Sequence, residues 1–426
     1  MVAITALILF VGGTAGLYFI RHLAPIRAAL GGAAMALAFV MPHLWFTKET
    51  DGYLPLFTIV LCAVYALFAL GLNIVVGFAG LLDLGYVAFF LVGAYVGAWL
   101  MSDFAVNVRP SWRNINIHFL DAASRKIPGI HLSFWIVVII AGLIAALAGV
   151  IIGAPTLRLK SDYLALVTLG FGEILPEVFR NSDDLPPGHL NLTNGTKGIG
   201  PVDRVGMGFL DKIPGIPKTI VSSDYRTKYY VILVFCGLFV WVSVKLRDGR
   251  LGRAWMAIRE DELAASLMGV PLMRTKLWSY AVGAVAGGVG GAFYATIVGT
   301  VNVDTFTFAF SIIVLCAVIL GGMGNVWGAI LGAVVITWFN YTGLTYIGGK
   351  INSAAPDGSY FAKFNFINLQ FGLFGLVLVL MMLFRPDGFI PAARSKQVKQ
   401  AEQQVLQSQD EILGDHPVLR VEGVEA

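Results

Sequence analysis

Segment 245–276 concentrates charge in a chain that otherwise has little of it, and it lies between two apolar stretches of membrane length. Its basic side chains are Lys245, Arg247, Arg250, Arg253, Arg259, Arg274 and Lys276. Such a segment suits contact with a polar macromolecular surface, and Arg253 and Arg259 are predicted to reach acidic residues of a soluble partner. The alternative is a loop that only orients the chain, because cytoplasmic loops of membrane proteins are rich in Lys and Arg.

The centre of this segment is predicted to form a short helix. Glu260, Asp261 and Glu262 would open it, because negative charge is favourable at the positive end of the helix dipole. Gly269 suits the left-handed residue that ends a helix, and Pro271 prevents its continuation. A short helix held between two spans can transmit movement to or from a soluble partner.

The side chains of this helix suit docking. Leu263 and Leu267 lie one helical turn apart and would be buried against the partner. Between them Ala264 and Ala265 are small, so that a bulky side chain at Ala265 is expected to prevent close approach.

Two glycine-interrupted apolar segments carry polar residues, the first with Asn73, Gly77, Gly80 and Asp83, the second with Gly321, Gly324 and Asn325. Broken spans at matching places in two halves often border a substrate path, because unwound backbone offers polar groups. Glu173 lies in a third apolar segment, where an acid is costly unless it is paired or hydrated. All eight residues are predicted to border a translocation path. The alternatives are plain helix packing through the glycines and, for Asp83, a turn between spans.

No catalytic residue, metal ligand set or cofactor site is expected in this chain. Six histidines are scattered without metal-ligand spacing, and the three cysteines each stand alone in apolar segments. Segment 343–351 superficially resembles a phosphate loop. However, its first glycine comes one position too early, and Ile351 stands where Ser or Thr would hold Mg²⁺.

Composition places the chain among membrane proteins. It is 57% hydrophobic and 13% charged, and its mean hydropathy of +0.76 is rarely reached by soluble domains. The formal net charge of +4 is carried mainly by loops beside the spans. This distribution indicates membrane topology and argues against nucleic acid as a partner.

Apolar runs long enough to cross about 30 Å of hydrocarbon predict about eleven membrane segments. They are 2–20, 28–46, 54–76, 84–101, 134–153, 164–179, 229–244, 277–298, 306–322, 326–341 and 368–384. The predicted fold class is therefore all-α, a polytopic inner-membrane helical bundle with some short or broken helices. Segment 164–179, with Gly170 and Gly172, is expected to be an interrupted half-helix.

The charges flanking these spans predict the orientation. Segments 21–27, 158–160 and 245–276 and the tail after Arg385 carry basic residues, and all fall inside if the N-terminus is outside. The first span has no basic residue before it, so it is predicted to be retained instead of cleaved as a signal peptide. The C-terminus is accordingly predicted to be cytoplasmic.

Several strings in order resemble the LivM-type permease of branched-chain amino acid ABC importers. They are GLNIVVGFAGLLDLGY (71–86), APTLRLKSDY (154–163), TLGFGEI (168–174), LTNGTKGI (192–199) and GGMG (321–324). Glu262, Ala264, Ala265 and Gly269 resemble the coupling-helix signature of ABC importer permeases. The resemblance runs from about residue 54 to 384 and implies the LivM/LivH-type permease fold.

The resemblance also implies domains and partners. Residues 1–53 would be an N-terminal extension with two membrane helices, 54–392 the permease core with coupling loop 245–276, and 393–426 a cytoplasmic tail. A second homologous permease would share the membrane path within the lipid bilayer of the bacterial plasma (inner) membrane. Two ABC ATPase subunits would bind ATP and Mg²⁺, and a periplasmic or lipoprotein receptor would deliver the substrate.

The predicted substrates are branched-chain or other hydrophobic amino acids. Apolar spans with few acidic residues suit a small, net-neutral solute better than a sugar or an ion. Urea and short amides remain alternatives, because related permeases transport them. From another class, an ion-coupled secondary transporter using Asp83 and Glu173 is the rival hypothesis, and a channel without energy input is a third.

Overall fold

The structure is a computed structural model that describes residues 56–108, 116–119, 129–159, 161–184, 190–205, 225–346, 348, 350, 370–385 and 388–390. The two spans predicted within 1–53 and the predicted tail 393–426 lie outside the described residues. Nothing in the structure therefore tests the domain boundaries predicted from the sequence.

The apolar runs form helices, because a helix satisfies its backbone hydrogen bonds internally where water is absent. The α-helices of the described residues are α1 (Leu56–Leu72), α2 (Val87–Leu100), α3 (Ala105–Val108), α4 (Phe134–Thr156), α5 (Ser161–Arg180), α6 (Tyr225–Asp248), α7 (Arg250–Glu260), α8 (Glu262–Leu267), α9 (Leu272–Val298), α10 (Phe308–Gly321), α11 (Val326–Trp338) and α12 (Gln370–Phe384). Helix α1 continues as a π-helix over Asn73–Phe78, and α11 continues as another over Phe339–Gly343.

Helix α9 lies at the centre of the bundle and packs most extensively against α4 and α2. At the crossing with α2, a Cβ atom on Gly93 would collide with the backbone of Gly288. The two helices therefore approach backbone to backbone, as small residues permit in membrane bundles. Phe68 and Phe90 fill the adjoining core, with ring centroids 4.7 Å apart and no solvent exposure.

Among the described residues, six helices are long and apolar enough to cross a membrane. They are Leu56–Phe78, Phe134–Thr156, Thr227–Asp248, Leu272–Val298, Val303–Gly321 and Val326–Tyr346, and Val87–Leu100 is a shorter apolar helix. All seven correspond to segments predicted from the sequence. The prediction of a polytopic helical bundle is confirmed.

The prediction that α5 is interrupted at Gly170 and Gly172 is wrong. The helix is continuous from Ser161 to Arg180. A Cβ atom on Gly172 would lie 3.2 Å from the Gly85 Cα atom, so this glycine permits close packing and does not break the helix.

A small sheet, not predicted from the sequence, lies in the segment that follows α2. Strand β1 (Met101–Ser102) pairs antiparallel with β3 (Gly129–Leu132), and β2 (Asn116–Phe119) pairs parallel with β3. A single bridge between Ile199 and Val301 joins two further connections. These contacts tie the loops at this end of the bundle to one another.

Candidate coupling and translocation site

Helices α7 and α8 together form the element that the charged segment builds between α6 and α9. The short predicted helix is α8, and Asp261 is its N-cap: its Oδ1 atom accepts from the backbone N–H groups of Leu263 at 2.8 Å and Ala264 at 2.9 Å. Glu260 does not open this helix, as was predicted, but is the last residue of α7. Gly269 has φ +82°, which confirms the predicted left-handed residue after the helix.

This element is fastened to the first turns of α9. The Lys276 Nζ atom lies 2.6 Å from the Glu262 Oε1 atom, and the lysine side chain is only 5% exposed. Trp255 of α7 is fully buried, and its Nε1–H group donates to the Thr275 carbonyl at 2.7 Å. The element is therefore held from both α7 and α8, so that a force applied to it would be transmitted to α9.

The outer surface of α8 is apolar. Leu263, Leu267 and Met268 are 71%, 79% and 84% exposed, and we call these three residues the apolar tip. Ala264 is also exposed, whereas Ala265 is buried against its own chain. A bulky residue at Ala265 would therefore disturb the chain's own packing first, so it is a poor probe of docking.

The two arginines predicted to reach outward differ. Arg253 is exposed and donates from its Nη1 atom to the Asp248 carbonyl at 3.1 Å. Arg259 is exposed as well, but it donates from its Nη1 atom to the Gly77 carbonyl of a distant segment at 2.5 Å. Its side chain also packs over Gly80, where a Cβ atom would lie 2.6 Å from the arginine Cγ atom.

The two glycine-interrupted segments meet directly beside this arginine. The Gly324 N–H group donates to the Asn73 Oδ1 atom at 2.9 Å, and Asn73 is 1% exposed. A Cβ atom on Gly77 would collide with the Asn73 Oδ1 atom and would lie 2.6 Å from the Gly324 nitrogen. Only glycine at position 77 therefore permits this contact, which we call the Asn73–Gly324 junction.

Gly321 and Asn325 flank the junction. The Asn325 Oδ1 atom caps α11 by accepting from the Trp327 N–H group at 3.0 Å, and its Nδ2 atom donates to the Ile390 carbonyl at 3.2 Å. The Gly321 carbonyl accepts from the Ile390 N–H group at 3.0 Å. The loop between α10 and α11 is thus fixed on both sides of Gly324.

The two acids lie away from the junction. Asp83 occupies the connection between α1 and α2, is 2% exposed, and accepts at Oδ1 from the Gly85 N–H group at 2.9 Å. Burial raises the pKa of its carboxyl group to about 6. Glu173 is exposed on α5. The structure therefore brings together Asn73, Gly77, Gly80 and Gly324 with Arg259, and it leaves Asp83 and Glu173 apart.

Some residues of this site were not singled out in the sequence. Gly252, Trp255 and Ile258 form the buried face of α7, and their spacing of three residues is the helical periodicity that would have indicated it. Among the residues that the structure describes, no three His, Cys, Asp or Glu side chains cluster closely enough to hold a metal ion.

Comparison with known proteins agrees with this architecture. The profile of the family described as "Branched-chain amino acid transport system / permease component" matches residues 54–384. The chain is 33% identical over 347 residues to the high-affinity branched-chain amino acid transport system permease protein LivM of Escherichia coli (strain K12), covering 78% of this chain and 69% of that protein. No solved structure matches the chain.

More distant relatives include both permease types. The probable branched-chain amino acid transport permease protein LivM of Methanocaldococcus jannaschii is 25% identical over 345 residues, which cover 77% of this chain and 90% of that protein. The LivH permease protein of the corresponding system of Salmonella typhimurium is 22% identical over 279 residues, covering 65% and 81%. The family profile matches most of this chain's length, and about a third of the aligned residues are identical to those of the Escherichia coli permease. These two matches establish the family of the chain. The chain is a multi-pass membrane protein that belongs to the family of branched-chain amino acid transport system permease components.

Proposed function

We propose that the chain is the transmembrane permease subunit of an ATP-driven importer for branched-chain or other hydrophobic amino acids. The observation that carries the proposal is the Arg259–Gly77 hydrogen bond. It joins α7, which continues into α8 and its exposed apolar tip, directly to the Asn73–Gly324 junction. A chain that carries out transport by itself has no need of such an element. A chain driven from outside needs a physical connection between the driven surface and the path.

The driving partners in this proposal are two ABC ATPase subunits, which bind ATP and Mg²⁺. A second homologous permease completes the membrane path, and a periplasmic or lipoprotein receptor delivers the substrate. The LivM and LivH relatives support a permease pair. Because ATP is cytoplasmic, the apolar tip would face the cytoplasm, in agreement with the orientation predicted from basic loops in a bacterial plasma membrane, with the N-terminus outside.

Docking of the ATPase is proposed to bury the apolar tip. Fully burying one leucine side chain stabilises a contact by roughly 1.5–3 kcal/mol. Replacing both Leu263 and Leu267 with glutamate is therefore expected to weaken ATPase binding by about a hundredfold or more. The measurement is the ATPase affinity of the purified permease pair.

The matched control replaces the same two leucines with methionine, which keeps an apolar side chain of similar volume. This variant should bind the ATPase nearly as well as the unmodified chain. Both pairs of substitutions leave the anchors Trp255 and Lys276 intact, so membrane insertion should not change. An undiminished affinity in the glutamate variant would contradict docking at the apolar tip.

Reconstitution tests the proposed function as a whole. Vesicles that contain the permease pair, the ATPases and the receptor should take up leucine, isoleucine and valine when ATP is supplied. The chain alone should transport none of them under an ion gradient, and gradient-driven uptake by the chain alone would instead establish the ion-coupled transporter. Uptake of urea with none of leucine would overturn the substrate assignment while retaining the importer architecture.

A further inference from the structure

The outward face of α5 differs in chemistry from the outward faces of its neighbours. Along this 20-residue helix, exposed positions recur at helical spacing and form one stripe. We call it the α5 stripe, and it consists of the exposed residues Tyr163, Leu166, Glu173, Ile174, Glu177 and Val178 with the partly exposed Gly170 between them. It therefore mixes two carboxylates with apolar side chains on a helix of membrane length.

The adjacent helix α4 shows what a lipid-facing surface looks like in this chain. Its exposed large side chains are all apolar, namely Ile139, Leu143, Ile144, Leu147 and Ile151. On α11, and on α6 before its charged C-terminal end at Lys245, the exposed large side chains are apolar as well: Val234, Leu238, Trp241, Trp327, Leu331, Val334 and Val335. Helix α5 is long enough to span a membrane but is absent from the six described helices that are apolar enough to do so.

The position of Glu173 along α5 places it beside the bundle and not beyond its end. One residue before it, Gly172 packs against Gly85, two residues before the start of α2. Six residues after it, the Phe179 ring lies 4.8 Å from the Tyr95 ring of α2, measured between centroids. Glu173 therefore lies at the depth of α2, where a charged side chain facing hydrocarbon costs about 2.5–3.5 kcal/mol or more.

No other described part of the chain covers the α5 stripe at Gly170. A Cβ atom added at Gly170 would meet no heavy atom within 4 Å. Towards the Arg180 end, a surface depression of about 380 Å³ is lined by Ile174, Glu177, Val178, Asn181 and Ser182. Glu177 is paired with Arg180, whose Nη1 atom lies 3.3 Å from the glutamate Oε2 atom, so Glu173 is the carboxylate whose hydration matters here. An exposed carboxylate at membrane depth requires water, and water at that depth requires a second protein wall that keeps lipid away.

We propose that the α5 stripe faces the second permease subunit across a water-filled gap and forms this chain's wall of the translocation path. The assignment rests on the proposed function for the identity of the opposite wall, which is the second permease of the proposed pair. In this arrangement Glu173 keeps its hydration, and Gly170 leaves room for solute. The all-apolar face of α4 is left for lipid.

Cysteine labelling tests this placement. In a chain whose own cysteines are replaced by Cys62→Ala, Cys236→Ala and Cys316→Ala, single substitutions Gly170→Cys, Glu173→Cys and Ile174→Cys are made in the α5 stripe. Leu143→Cys and Leu147→Cys on α4 are the matched controls. The assembled permease pair in vesicles is treated with a charged methanethiosulfonate reagent, which reacts with the hydrated thiolate.

The α5 positions should react about tenfold faster or more than the α4 positions, since a thiolate forms readily only in water. Equal and slow reaction at both helices would place α5 in lipid and overturn the proposal. Labelling of the isolated chain that disappears in the permease pair would show a dry contact and would also overturn it. Three variants are used so that one misfolded substitution does not decide the result.

A second readout uses Glu173→Leu. If the side chain faced lipid, leucine would be neutral or stabilising and uptake would be unchanged, which would contradict the proposal. If Glu173 borders the path, uptake should fall about tenfold while the permease pair still assembles. Labelling needs neither ATP nor substrate, so failure of ATP-driven uptake in the unmodified complex would count against the proposed function and not against the water-filled gap.

Discussion

Replacing Arg259 with alanine is expected to separate ATP hydrolysis from transport. The guanidinium group donates to the Gly77 carbonyl, and a hydrogen bond to a charged group contributes roughly 1.5–3 kcal/mol. Its loss would leave that carbonyl without this partner and would remove the contact between α7 and the Asn73–Gly324 junction. Uptake per ATP hydrolysed should fall by about tenfold to a hundredfold, measured in vesicles that contain the complete transporter.

Arg253→Ala is the matched control, because Arg253 lies on the same helix and carries the same charge. It donates only to the Asp248 carbonyl, within the same loop, so uptake per ATP should remain near that of the unmodified chain. Arg259→Lys keeps a donor but loses the planar guanidinium and should give an intermediate value. Equal coupling in the Arg259→Ala and Arg253→Ala variants would show that the contact with Gly77 does not transmit the movement.

The second large effect is expected from Gly77→Ala. The added methyl group would collide with the Asn73 side chain and press on the Gly324 backbone, and overpacking of this kind costs about 1–3 kcal/mol. Moving Asn73 away would also leave the Gly324 N–H group without its acceptor. We expect the solubilised chain to lose its fold at a temperature several degrees lower, measured by thermal aggregation, and uptake to fall with it.

Gly237→Ala provides the comparison for this substitution. Gly237 lies within α6, and a Cβ atom there would meet nothing within 4 Å. Alanine should therefore be neutral or slightly stabilising, because it reduces the conformational entropy of the unfolded chain. If both glycine substitutions changed thermal stability to the same extent, close packing at the Asn73–Gly324 junction would not be the reason for glycine at position 77.

Local features of this protein follow from its sequence alone. Apolar runs of membrane length predict the helices, and the structure has helices in all nine predicted segments that lie within the described residues. The left-handed residue Gly269 and the cap at Asp261 also depend only on near neighbours, since a cap side chain bonds to N–H groups two or three residues away. Glu260 was predicted to open α8 but is the last residue of α7. The prediction failed because two adjacent helices share the charged segment and the sequence does not mark the boundary between them.

The contacts that bring the site residues together are decided by tertiary structure. Arg259 and Gly77 are 182 residues apart, and Asn73 and Gly324 are 251 apart, so no local pattern pairs them. The exposure of Glu173 likewise depends on which face of α5 packs against α2. Hydrophobic periodicity and capping involve neighbours within a helical turn or two. The pairing of distant segments instead depends on how whole helices pack, and here that packing is set by where glycines let backbones approach.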